Sequence, residues 1–548
     1  MTRLWASAPL APAPGSMSAL IILLWIALLA GFMQPIANND IGFHLRLGEE
    51  IARTASIPCA DTYSFTAAGR PYLDHEWLAQ LLLHLAHRHG GTAALIVATS
   101  ACITLTFMTL LWTLRRDRVS AILLVLLLAP LAVSHAQARP HVLAWLLLAL
   151  LVAALESGRR SPVIAMLVIW ANCHASFLLG VGLATFALVE RFLATGDRRL
   201  LAWVGAAVLA PLVNPHGIGA FTYFFHIHPS TEFIGEWRAF EPSSGYFWCW
   251  LAYVLLLACG LIRARSPALD WLRAVALVAL GFSAMRHAII AGIALAPLQQ
   301  RVWSATVRAL TTRHPRTVMA ALATFITGGF GTLVLGRDAL EFRVDHEALP
   351  VYATEFLLRQ PIAGPIFNDY DFGGYLIWKA YPRHRVFIDG RVDVYVGQPL
   401  DDYLTVSRVQ PGWQAVLARY GIECVLVRAD RDIGRVLAND LQWEMVYFDY
   451  NSVIYVRKGT SPQVRRIRFT TPWRHRDGSK VPDLIEEIGY LLEQNPRFFG
   501  GHKILAALYH RAGDQNRARS EMNRYLELHP SGRRDAETRQ MLARLGMR

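Results

Sequence analysis

Apolar runs long enough to cross a membrane fill much of residues 17–335 and constrain the fold of this sequence more than any other feature. A bilayer core needs about 20 predominantly apolar residues in helical form, and about 11 such runs occur here. Because lipid cannot hydrogen-bond to an open backbone, these runs are predicted to be helices. The sequence therefore predicts a polytopic α-helical membrane protein, and the first run, Met17 to Met33, is interpreted as an uncleaved signal anchor.

Composition and the placement of charge predict the orientation of these spans. Hydrophobic residues make up 54% of the chain and charged residues 17%, which excludes disorder for most of it. The formal net charge of +13 reflects Lys and Arg residues that collect in alternate loops. Cytoplasmic loops of membrane proteins are enriched in these residues, so the charge gives no reason to expect a nucleic acid partner. We expect a multi-pass protein of the cell inner (plasma) membrane, with the N-terminus cytoplasmic and residues after 335 external, or periplasmic. The basic loops contain Arg115, Arg116, Arg118, Arg159, Arg160, Arg198, Arg199, Arg263, Arg265 and the stretch 301–316.

The predicted external loops contain the ionisable groups best suited to chemistry. An ionisable side chain costs about 2.5 to 3.5 kcal/mol at mid-bilayer, so such groups at span ends are candidate functional residues. Interfacial anchoring and helix capping are the alternative interpretations for each of them. The candidates are Asp40, His44, His75, Glu76, Arg139, His141, His174, His216, Glu236, Arg286 and His287.

The first external loop, residues 34–91, is the most informative. Asp40 ends the first span, and a helix over Ile41–Arg53 would place His44 four residues further along the same ridge. A carboxylate beside an imidazole can take a proton from an acceptor hydroxyl. The alternative is that Asp40 only caps the helix. The loop closes in Trp77–His87, whose apolar and polar faces predict a helix lying in the membrane interface.

This layout resembles the GT-C superfamily of membrane glycosyltransferases. The shared features are an Asp directly after the first span, a long first external loop with interfacial helices, many spans and a large external C-terminal part, over roughly Met17 to Lys458. The resemblance implies transfer of a sugar or glycan from a polyprenyl-phosphate or polyprenyl-pyrophosphate donor on the outer face. Further segments that look like blocks of a bacterial branch of that group are Ala138–His141, Trp170–His174, Asn214–Gly217 and Glu236-Trp237.

The resemblance also implies roles for individual residues. Asp40 stands where the superfamily has its first-loop catalytic acid, and the catalytic set is predicted to comprise Asp40, His44, Glu76 and Glu236. Arginine and histidine from other external loops are expected to neutralise the donor phosphate, because arginine donates paired hydrogen bonds to phosphate. The predicted phosphate-binding set is Arg139, His141, His174, His216, Arg286 and His287.

The sequence departs from the superfamily at its second acidic motif. An Asp/Glu pair is expected in the next external loop, but the ionisable groups of residues 135–141 are only His and Arg. We therefore assign no metal ligands and expect Arg and His to replace the metal, with a divalent ion (Mg or Mn) as the alternative. The six cysteines lie far apart without a CxxC pair, which argues against a zinc site and a disulfide scaffold.

Residues 337–458 are predicted to form an external α/β domain, after a transmembrane GT-C-like domain over residues 1–336. Short apolar β-rich runs alternate with helical stretches there. The predicted strands are Pro365–Phe367, Tyr375–Trp378, Arg385–Ile388, Cys424–Arg428, Trp443–Phe448 and Val453–Arg457.

The segment Asn368–Tyr375 is the most unusual part of this domain. It loosely resembles the aromatic-Asp-Tyr-Gly acceptor motif of oligosaccharyltransferase catalytic subunits, which implies acceptor binding by Asp369, Asp371 and Tyr375. The alternative is a tight turn whose glycines let backbones pack closely. Phe387–Arg391 is open to a similar interpretation, as a strand-ending Asp-Gly turn.

The C-terminal end is predicted to contain a basic linker, residues 459–481, and a helical segment similar to a tetratricopeptide repeat (TPR), residues 482–548. Because one repeat is marginally stable alone, we expect it to dock on the α/β domain or on a protein partner. The residues that match the repeat spacing are Leu505, Ala506, Tyr509, Gly513, Ala518, Tyr525 and Pro530.

The sequence as a whole predicts an integral-membrane glycosyltransferase of the cell envelope. Its predicted partners are a polyprenyl-linked sugar donor, membrane lipids and a protein segment bound by the TPR-like repeat. A polymerase or ligase of lipid-linked polysaccharide is one alternative, since it would use the same donor on a different fold. A transporter, or a non-enzymatic membrane platform that recruits partners through the repeat, is the other.

Overall fold

The computed structural model describes residues 14–227, 241–335, 342–467 and 481–547. The chain divides into two compact units. The first, which we call the helical unit, contains residues up to 36, 47–58 and 73–343, and the second, the mixed unit, contains residues 37–46, 59–72 and 344–548. Two pieces of the first external loop therefore belong to the same unit as the C-terminal residues. The four domain ranges predicted from the sequence stay a prediction.

Helices make up nearly all the regular structure described before residue 336. The third of them is interrupted at Gly90 and Gly91, where Gly91 has a φ of +61°, so the predicted interfacial helix and the next span meet at a kink. The helices are α1 Pro14–Gly31, α2 Ile41–Thr54, α3 Trp77–Thr113, α4 Arg118–Val133, α5 Pro140–Ser157, α6 Ser161–Ala171, α7 Phe177–Thr195, α8 Arg199–Leu209, α9 Gly219–Ile227, α10 Gly245–Arg263, α11 Ala268–Ser283, α12 His287–Arg313 and α13 Pro315–Leu335.

Four of the described helices, α3, α5, α7 and α10, are long and apolar enough to cross a membrane. Shorter apolar helices accompany them at Met17–Gly31, Arg118–Val133, Ser161–Ala171 and Arg199–Leu212. The prediction of a helical protein with several membrane-length helices is confirmed, whereas the number of spans stays a prediction.

Small residues let the helices of the helical unit pack closely. The Trp250 side chain is fully buried, and a Cβ added at Gly281 would lie 2.2 Å from its ring. Gly292 likewise leaves room for Leu128, and its carbonyl oxygen accepts a hydrogen bond of 3.1 Å from the Tyr253 hydroxyl. Close packing and buried hydrogen bonds of this kind associate helices in lipid, where the hydrophobic effect does not.

The mixed unit contains a four-stranded sheet in the order β1-β2-β4-β3. Strands β1 and β2 are parallel, with Ile366 opposite Cys424, and the other neighbouring strands are antiparallel. The prediction of an α/β domain is confirmed. The elements are α14 Val351–Arg359, β1 Ile366–Asn368, α15 Tyr370–Ala380, α16 Val392–Tyr395, α17 Gln398–Ser407, α18 Trp413–Arg419, β2 Cys424–Arg428, α19 Asp432–Leu437, β3 Trp443–Phe448 and β4 Ser452–Arg457.

Two of the predicted strands are wrong. Residues 375–378 lie inside helix α15, because the Asp369 side chain accepts a hydrogen bond from the Asp371 N–H at the helix start. Residues 385–388 are not a strand of the sheet, and Val386 pairs only through an isolated bridge to Ser64. A short apolar run fits a buried helix as well as a strand, so the cap decides between them.

The C-terminal helices contact the α/β part of the mixed unit, the first of the two predicted docking partners. The Asn495 side chain donates a hydrogen bond of 3.1 Å to the buried Asp449, and the ring of Tyr450 stacks on Phe499 with 4.9 Å between centroids. The similarity to a TPR stays a prediction, and residues 468–480 of the predicted linker lie outside the described residues. The helices are α20 Val481–Gln494, α21 Phe499–Arg511, α22 Gln515–Leu528 and α23 Ala536–Arg544.

Arg391 links residues 59–72, from the first predicted external loop, to the α/β part of the mixed unit. Its guanidinium donates to Asp61 at 2.7 Å and to both carboxylate oxygens of Asp389 at 2.7 and 2.8 Å. The three side chains are at most 2% exposed, and the rings of Tyr63 and Tyr72 lie 5.2 and 5.3 Å from the guanidinium carbon. A buried cation of this kind cannot be removed alone without leaving two carboxylates uncompensated.

We therefore expect Arg391→Leu to cost about 3 to 5 kcal/mol of unfolding free energy, because breaking a buried ion pair leaves uncompensated buried charge. Thermal unfolding of the purified full chain measures the loss. Arg428→Leu is the matched control, since Arg428 pairs with Asp430 at the surface and such pairs contribute about 0 to 1 kcal/mol. Equal losses in the two variants would contradict a stabilising role for the buried network.

Candidate active site

Asp40 lies at the start of helix α2 in the mixed unit. The Asn38 side-chain oxygen accepts a 2.8 Å hydrogen bond from the Asp40 N–H, and the His44 N–H donates to the Asp40 carbonyl in the first helical turn. Asp40 is 7% exposed and His44 is 2% exposed. The predicted helix therefore exists and begins directly after Asp40, while the catalytic roles of the two residues stay predictions.

Glycines of the α/β part allow its backbone to approach Asp40 closely. A Cβ added at Gly390 would stand 2.0 Å from the Asp40 carboxylate, and one at Gly374 would stand 2.2 Å from the Asn39 carbonyl oxygen. On the other side of this contact, a Cβ at Gly42 would meet the Gly374 carbonyl oxygen at 2.1 Å. The glycines of the two unusual segments therefore serve to bring backbone against the Asp40 turn.

The predicted acceptor-binding residues differ in how accessible they are. Asp369 is buried and bound by Arg431 through hydrogen bonds of 2.6 and 3.1 Å, and Tyr375 packs at 5% exposure in an apolar cluster. Asp371 keeps a side-chain exposure of 38% and accepts hydrogen bonds from Asn39 and Arg431, each at 3.2 Å. Burial and the neighbouring Asp369 raise the pKa of Asp371. Of the three, Asp371 is the side chain best placed to meet a ligand.

A second group of predicted residues meets in the helical unit around Glu76. One carboxylate oxygen of Glu76 lies 3.7 Å from His174 Nε2 and 3.8 Å from His75 Nε2. The ring of His75 also packs on Tyr223, with 4.0 Å between centroids. Residues 75–76 and residue 174 come from different predicted external loops, and the structure brings them together.

The tautomer of His174 follows from its hydrogen bonds. Its Nδ1 accepts a bond of 3.1 Å from the backbone N–H of Ser176, and that group can only donate. In the neutral ring the proton therefore resides on Nε2, the nitrogen that faces Glu76. His174 thus presents a hydrogen-bond donor, and a metal could not use the same nitrogen without displacing that proton.

Arginines from other loops act on the same imidazole. Burial and the charge of Arg286 hold the pKa of His174 well below its usual value, and His141, His75 and Arg139 act in the same direction. Burial lowers the pKa of His75 to about 4, to which the nearby His216 contributes. Both shifts favour the uncharged form of the imidazole.

The other predicted phosphate-binding histidines use a ring nitrogen within the protein. His216 Nε2 donates to the Asp74 carbonyl oxygen at 2.9 Å, and His141 Nε2 donates to the His135 carbonyl oxygen at 2.9 Å. His287 Nδ1 lies 2.9 Å from the Ser283 hydroxyl. Glu236 lies outside the described residues. These histidines orient the loops on which the cluster is built.

Asn172 is a positioning residue that the sequence reasoning passed over. Its side-chain oxygen accepts from Trp77 Nε1 at 2.9 Å and its carbonyl oxygen accepts from the Leu78 N–H at 3.1 Å. Its amide nitrogen donates to the carbonyl oxygens of Val168 and Val213. Asn172, which precedes His174 by two residues, thereby fixes Trp77, the residue that follows Glu76. An Asn directly at the end of an apolar run, beside a His, was the available signal.

The described residues do not offer a set of metal ligands. No group of three or more His, Cys, Asp or Glu side chains in the described ranges has a geometry that could hold a metal ion. Glu76 lies near His75 and His174, but the His174 nitrogen that faces Glu76 is the protonated one in the neutral ring.

Comparison with solved structures identifies the fold. The chain is similar to the archaeal oligosaccharyltransferase AglB from Archaeoglobus fulgidus in complex with an inhibitory peptide and a dolichol-phosphate, with 11% identity, 96% of this chain and 87% of that chain covered, and a TM-score of 0.51. The apo form of the A. fulgidus oligosaccharyltransferase gives 11% identity, coverage of 81% and 74%, and a TM-score of 0.49. ArnT from Cupriavidus metallidurans gives 16% identity, coverage of 80% and 96%, and a TM-score of 0.47.

The AglB similarity shows that this chain shares the fold of that structure, which agrees with the membrane fold that the resemblance implied. A scan against protein-family models finds no match, and neither does a search of curated proteins.

The contact between Gly390 and Asp40 can be tested by a double-mutant cycle. We expect Gly390→Ala to cost about 1 to 3 kcal/mol of stability, because its Cβ would displace the Asp40 carboxylate. In an Asp40→Ala background the same substitution should cost less, since the carboxylate is gone and only the Phe43 ring remains close to the added Cβ, giving a coupling of roughly 1 kcal/mol. Thermal unfolding of the four variants measures it.

Gly489→Ala is the matched control, because Gly489 lies in helix α20 of the same unit and nothing would stand within 4 Å of an added Cβ. We expect this variant to be neutral or slightly stabilised. If Gly390→Ala costs as much without the Asp40 carboxylate as with it, the contact does not position Asp40.

Proposed function

We propose that this chain is an integral-membrane glycosyltransferase that transfers a sugar or glycan from a polyprenyl-(pyro)phosphate donor to an acceptor on the outer face of the membrane. The observation that carries the proposal is the cluster around His174, where residues from separate loops combine Glu76, Arg139 and Arg286. The fold supports it, because the AglB structure that shares this fold holds a dolichol-phosphate and an inhibitory peptide.

The helical unit supplies the groups for the donor phosphate. Arg139 and Arg286 act electrostatically on His174, and fixed cations of this kind stabilise the negative charge that develops on a leaving phosphate. The Nε2–H of His174 adds a hydrogen-bond donor whose direction is set before the substrate binds. His141 and His216 hold neighbouring backbone in place through their own Nε2–H groups, so we assign them positioning roles.

Asp40 and Asp371 are the residues that we assign to the acceptor. An acceptor hydroxyl or amide attacks the anomeric carbon, the bond from that carbon to the phosphate oxygen breaks, and Asp40 takes the acceptor proton. Asp371 is the exposed carboxylate near the Asn39-Asp40 turn and would hold the acceptor through a hydrogen bond. Glu76 is a second carboxylate candidate for acid–base work, and the roles of His44, Tyr375, Asp369 and Glu236 stay predictions.

We place this chemistry at a cell inner membrane, with the N-terminus in the cytoplasm and the C-terminal residues in the periplasm. The support is the alternation of Arg-rich loops along the sequence. The TPR-like helices would then recruit a protein partner on the periplasmic side.

A topology reporter tests this orientation. A reporter that requires an oxidising compartment, fused after Arg548, should be active, and the same reporter placed after Arg160 should be silent, because the second site lies in a basic loop. Activity after Arg160 and silence after Arg548 would reverse the orientation and remove the external site from the proposal.

The role of Asp40 is tested by Asp40→Asn. This substitution keeps the size and the capping ability of the side chain but removes the base, so release of polyprenyl phosphate from a lipid-linked sugar should slow roughly 100-fold, or by about 3 kcal/mol. The turnover rate and the unfolding temperature of the same preparation are the measurements.

Asp514→Asn is the matched control, since Asp514 caps helix α22 by accepting from the Arg517 N–H and has no assigned catalytic role. Asn caps a helix nearly as well as Asp, so this variant should keep both rate and stability. An Asp40→Asn protein that turns over at the wild-type rate would show that Asp40 only caps α2.

A further inference from the structure

Arg431, at the start of helix α19, contacts two carboxylates at the start of helix α15. Its Nε and Nη2 donate to the two oxygens of Asp369 at 2.6 and 3.1 Å, and the same Nη2 donates to Asp371 at 3.2 Å. The Asp369 side chain is 2% exposed, whereas those of Arg431 and Asp371 are 40% and 38% exposed. The guanidinium therefore joins a buried carboxylate to an accessible one.

The paired contact with Asp369 fixes the direction of the guanidinium. Two parallel N–H···O bonds between an arginine and a carboxylate hold both groups in one geometry. Asp369 is itself held, because it accepts a hydrogen bond of 3.2 Å from the Asp371 N–H at the helix start. The Nη2–H that reaches Asp371 consequently has a fixed direction. A lysine ammonium can supply the charge of Arg431 but not this paired contact.

Asp371 is held from its other side by the residue that precedes Asp40. Asn39 Nδ2 donates to Asp371 Oδ1 at 3.2 Å, and Arg431 donates to Oδ2, so within the described ranges each oxygen accepts one hydrogen bond. An ionised carboxylate has about four acceptor positions. Because the side chain is half-buried, the remaining positions are accessible to a ligand in a defined direction.

The charged groups around Asp371 act in opposite directions on its protonation. Burial and the neighbouring Asp369 raise the pKa of Asp371. Arg431, Arg428 and the hydrogen bond from Asn39 lower this pKa, and Arg431 is in direct contact with the carboxylate. Loss of Arg431 therefore favours the protonated carboxyl, whose O–H donates a hydrogen bond where the carboxylate accepts one.

We propose that Arg431 is a positioning residue for the transfer reaction: anchored by Asp369, it holds Asp371 as an oriented carboxylate that accepts a hydrogen bond from an N–H or O–H group of the acceptor. The inference rests on the proposed function and adds a residue that acts through Asp371. The alternative is that Arg431 only stabilises the fold by compensating the buried Asp369. A purely stabilising Arg431 would change the unfolding temperature but not the behaviour of Asp371.

The protonation of Asp371 tests the contact without any substrate. The full-length protein in nanodiscs is treated with a water-soluble carbodiimide and glycine ethyl ester over a series of pH values, because the carbodiimide activates the protonated carboxyl. Peptide mass spectrometry measures the labelling of Asp371 relative to the exposed Asp401. We expect Arg431→Gln to raise the midpoint pH of Asp371 labelling by about 1, the lower end of the effect of an adjacent cation, since Asp371 is half-exposed.

Two further variants separate charge from orientation. Arg431→Lys keeps the charge but not the paired contact, so its labelling midpoint should stay close to that of the wild type. Arg435→Gln is the matched control, because Arg435 lies one turn further along α19 and pairs with Asp432 at the surface, where both side chains are 71% exposed. This control should leave both the midpoint and the turnover unchanged.

Turnover tests the role of the contact in transfer. It is measured at neutral pH as release of polyprenyl phosphate or pyrophosphate from a lipid extract of the source membrane, with a periplasmic extract as acceptor. Asp371→Asn, Arg431→Gln and Arg431→Lys should each slow release roughly 10-fold, since each removes a charge-assisted hydrogen bond or its orientation. The Asp371→Asn/Arg431→Gln double variant should be no slower than Asp371→Asn alone, because Arg431 acts through Asp371.

The outcomes separate the inference from the proposed function. If Arg431→Gln leaves the labelling midpoint unchanged, or if the double variant is slower than Asp371→Asn alone, Arg431 does not act through Asp371 and the inference is wrong. If the midpoint shifts but Asp371→Asn turns over at the wild-type rate, the inference is wrong while Asp40→Asn still tests the proposed function. If the wild-type protein releases nothing, the proposed function fails and the inference fails with it.

Arg431→Gln leaves the buried Asp369 without its cation, so its unfolding temperature is measured first. If that variant does not fold, the same comparison of turnover is made with Arg431→Lys, alone and combined with Asp371→Asn. Equal slowing by Arg431→Lys in both backgrounds would overturn the inference, and slowing only where Asp371 is present would support it.

Discussion

Asp40 is held in place by backbone contacts that any side chain at Gly374 or Gly390 would prevent. The two glycines belong to separate segments, one at the start of helix α15 and one in the Asp-Gly turn that precedes α16, and both meet the turn that starts α2. The buried Arg391 next to Gly390 binds Asp61 of the other first-loop piece. The position of this carboxylate in the mixed unit thus depends on steric fit, supported by one buried ion network.

In the helical unit, burial and hydrogen bonds determine the state and orientation of the residues around Glu76. Burial lowers the pKa of His75, and burial together with Arg286 and Arg139 lowers that of His174, which favours the uncharged imidazoles. Asn172 uses both amide hydrogens, its side-chain oxygen and its backbone carbonyl oxygen in hydrogen bonds, and those to Trp77 and Leu78 fix the segment that follows Glu76.

Sequence patterns predicted the helices and strands that depend on local periodicity. They did not predict the contacts between residues that are distant in the sequence. The helix after Asp40 and strands β2 and β3 were predictable, because each has a clear start signal or a β-rich apolar run. Residues 375–378 form a short apolar run and were therefore predicted as a strand. The helix-capping ability of Asp369, which begins a helix over these residues, was not considered. The Gly390–Asp40 approach joins residues 350 positions apart, and a single sequence contains no signal for such a contact.

The central claim is that this protein processes a lipid-linked sugar phosphate. Mass spectrometry of the lipids that copurify with the full-length protein, before and after incubation with an acceptor pool, tests it most directly. A glycosyltransferase should retain a polyprenyl-linked sugar, and incubation should convert that lipid to the free polyprenyl phosphate or pyrophosphate. Copurification of bulk phospholipid alone, with no polyprenyl species above the membrane background, would contradict the assignment.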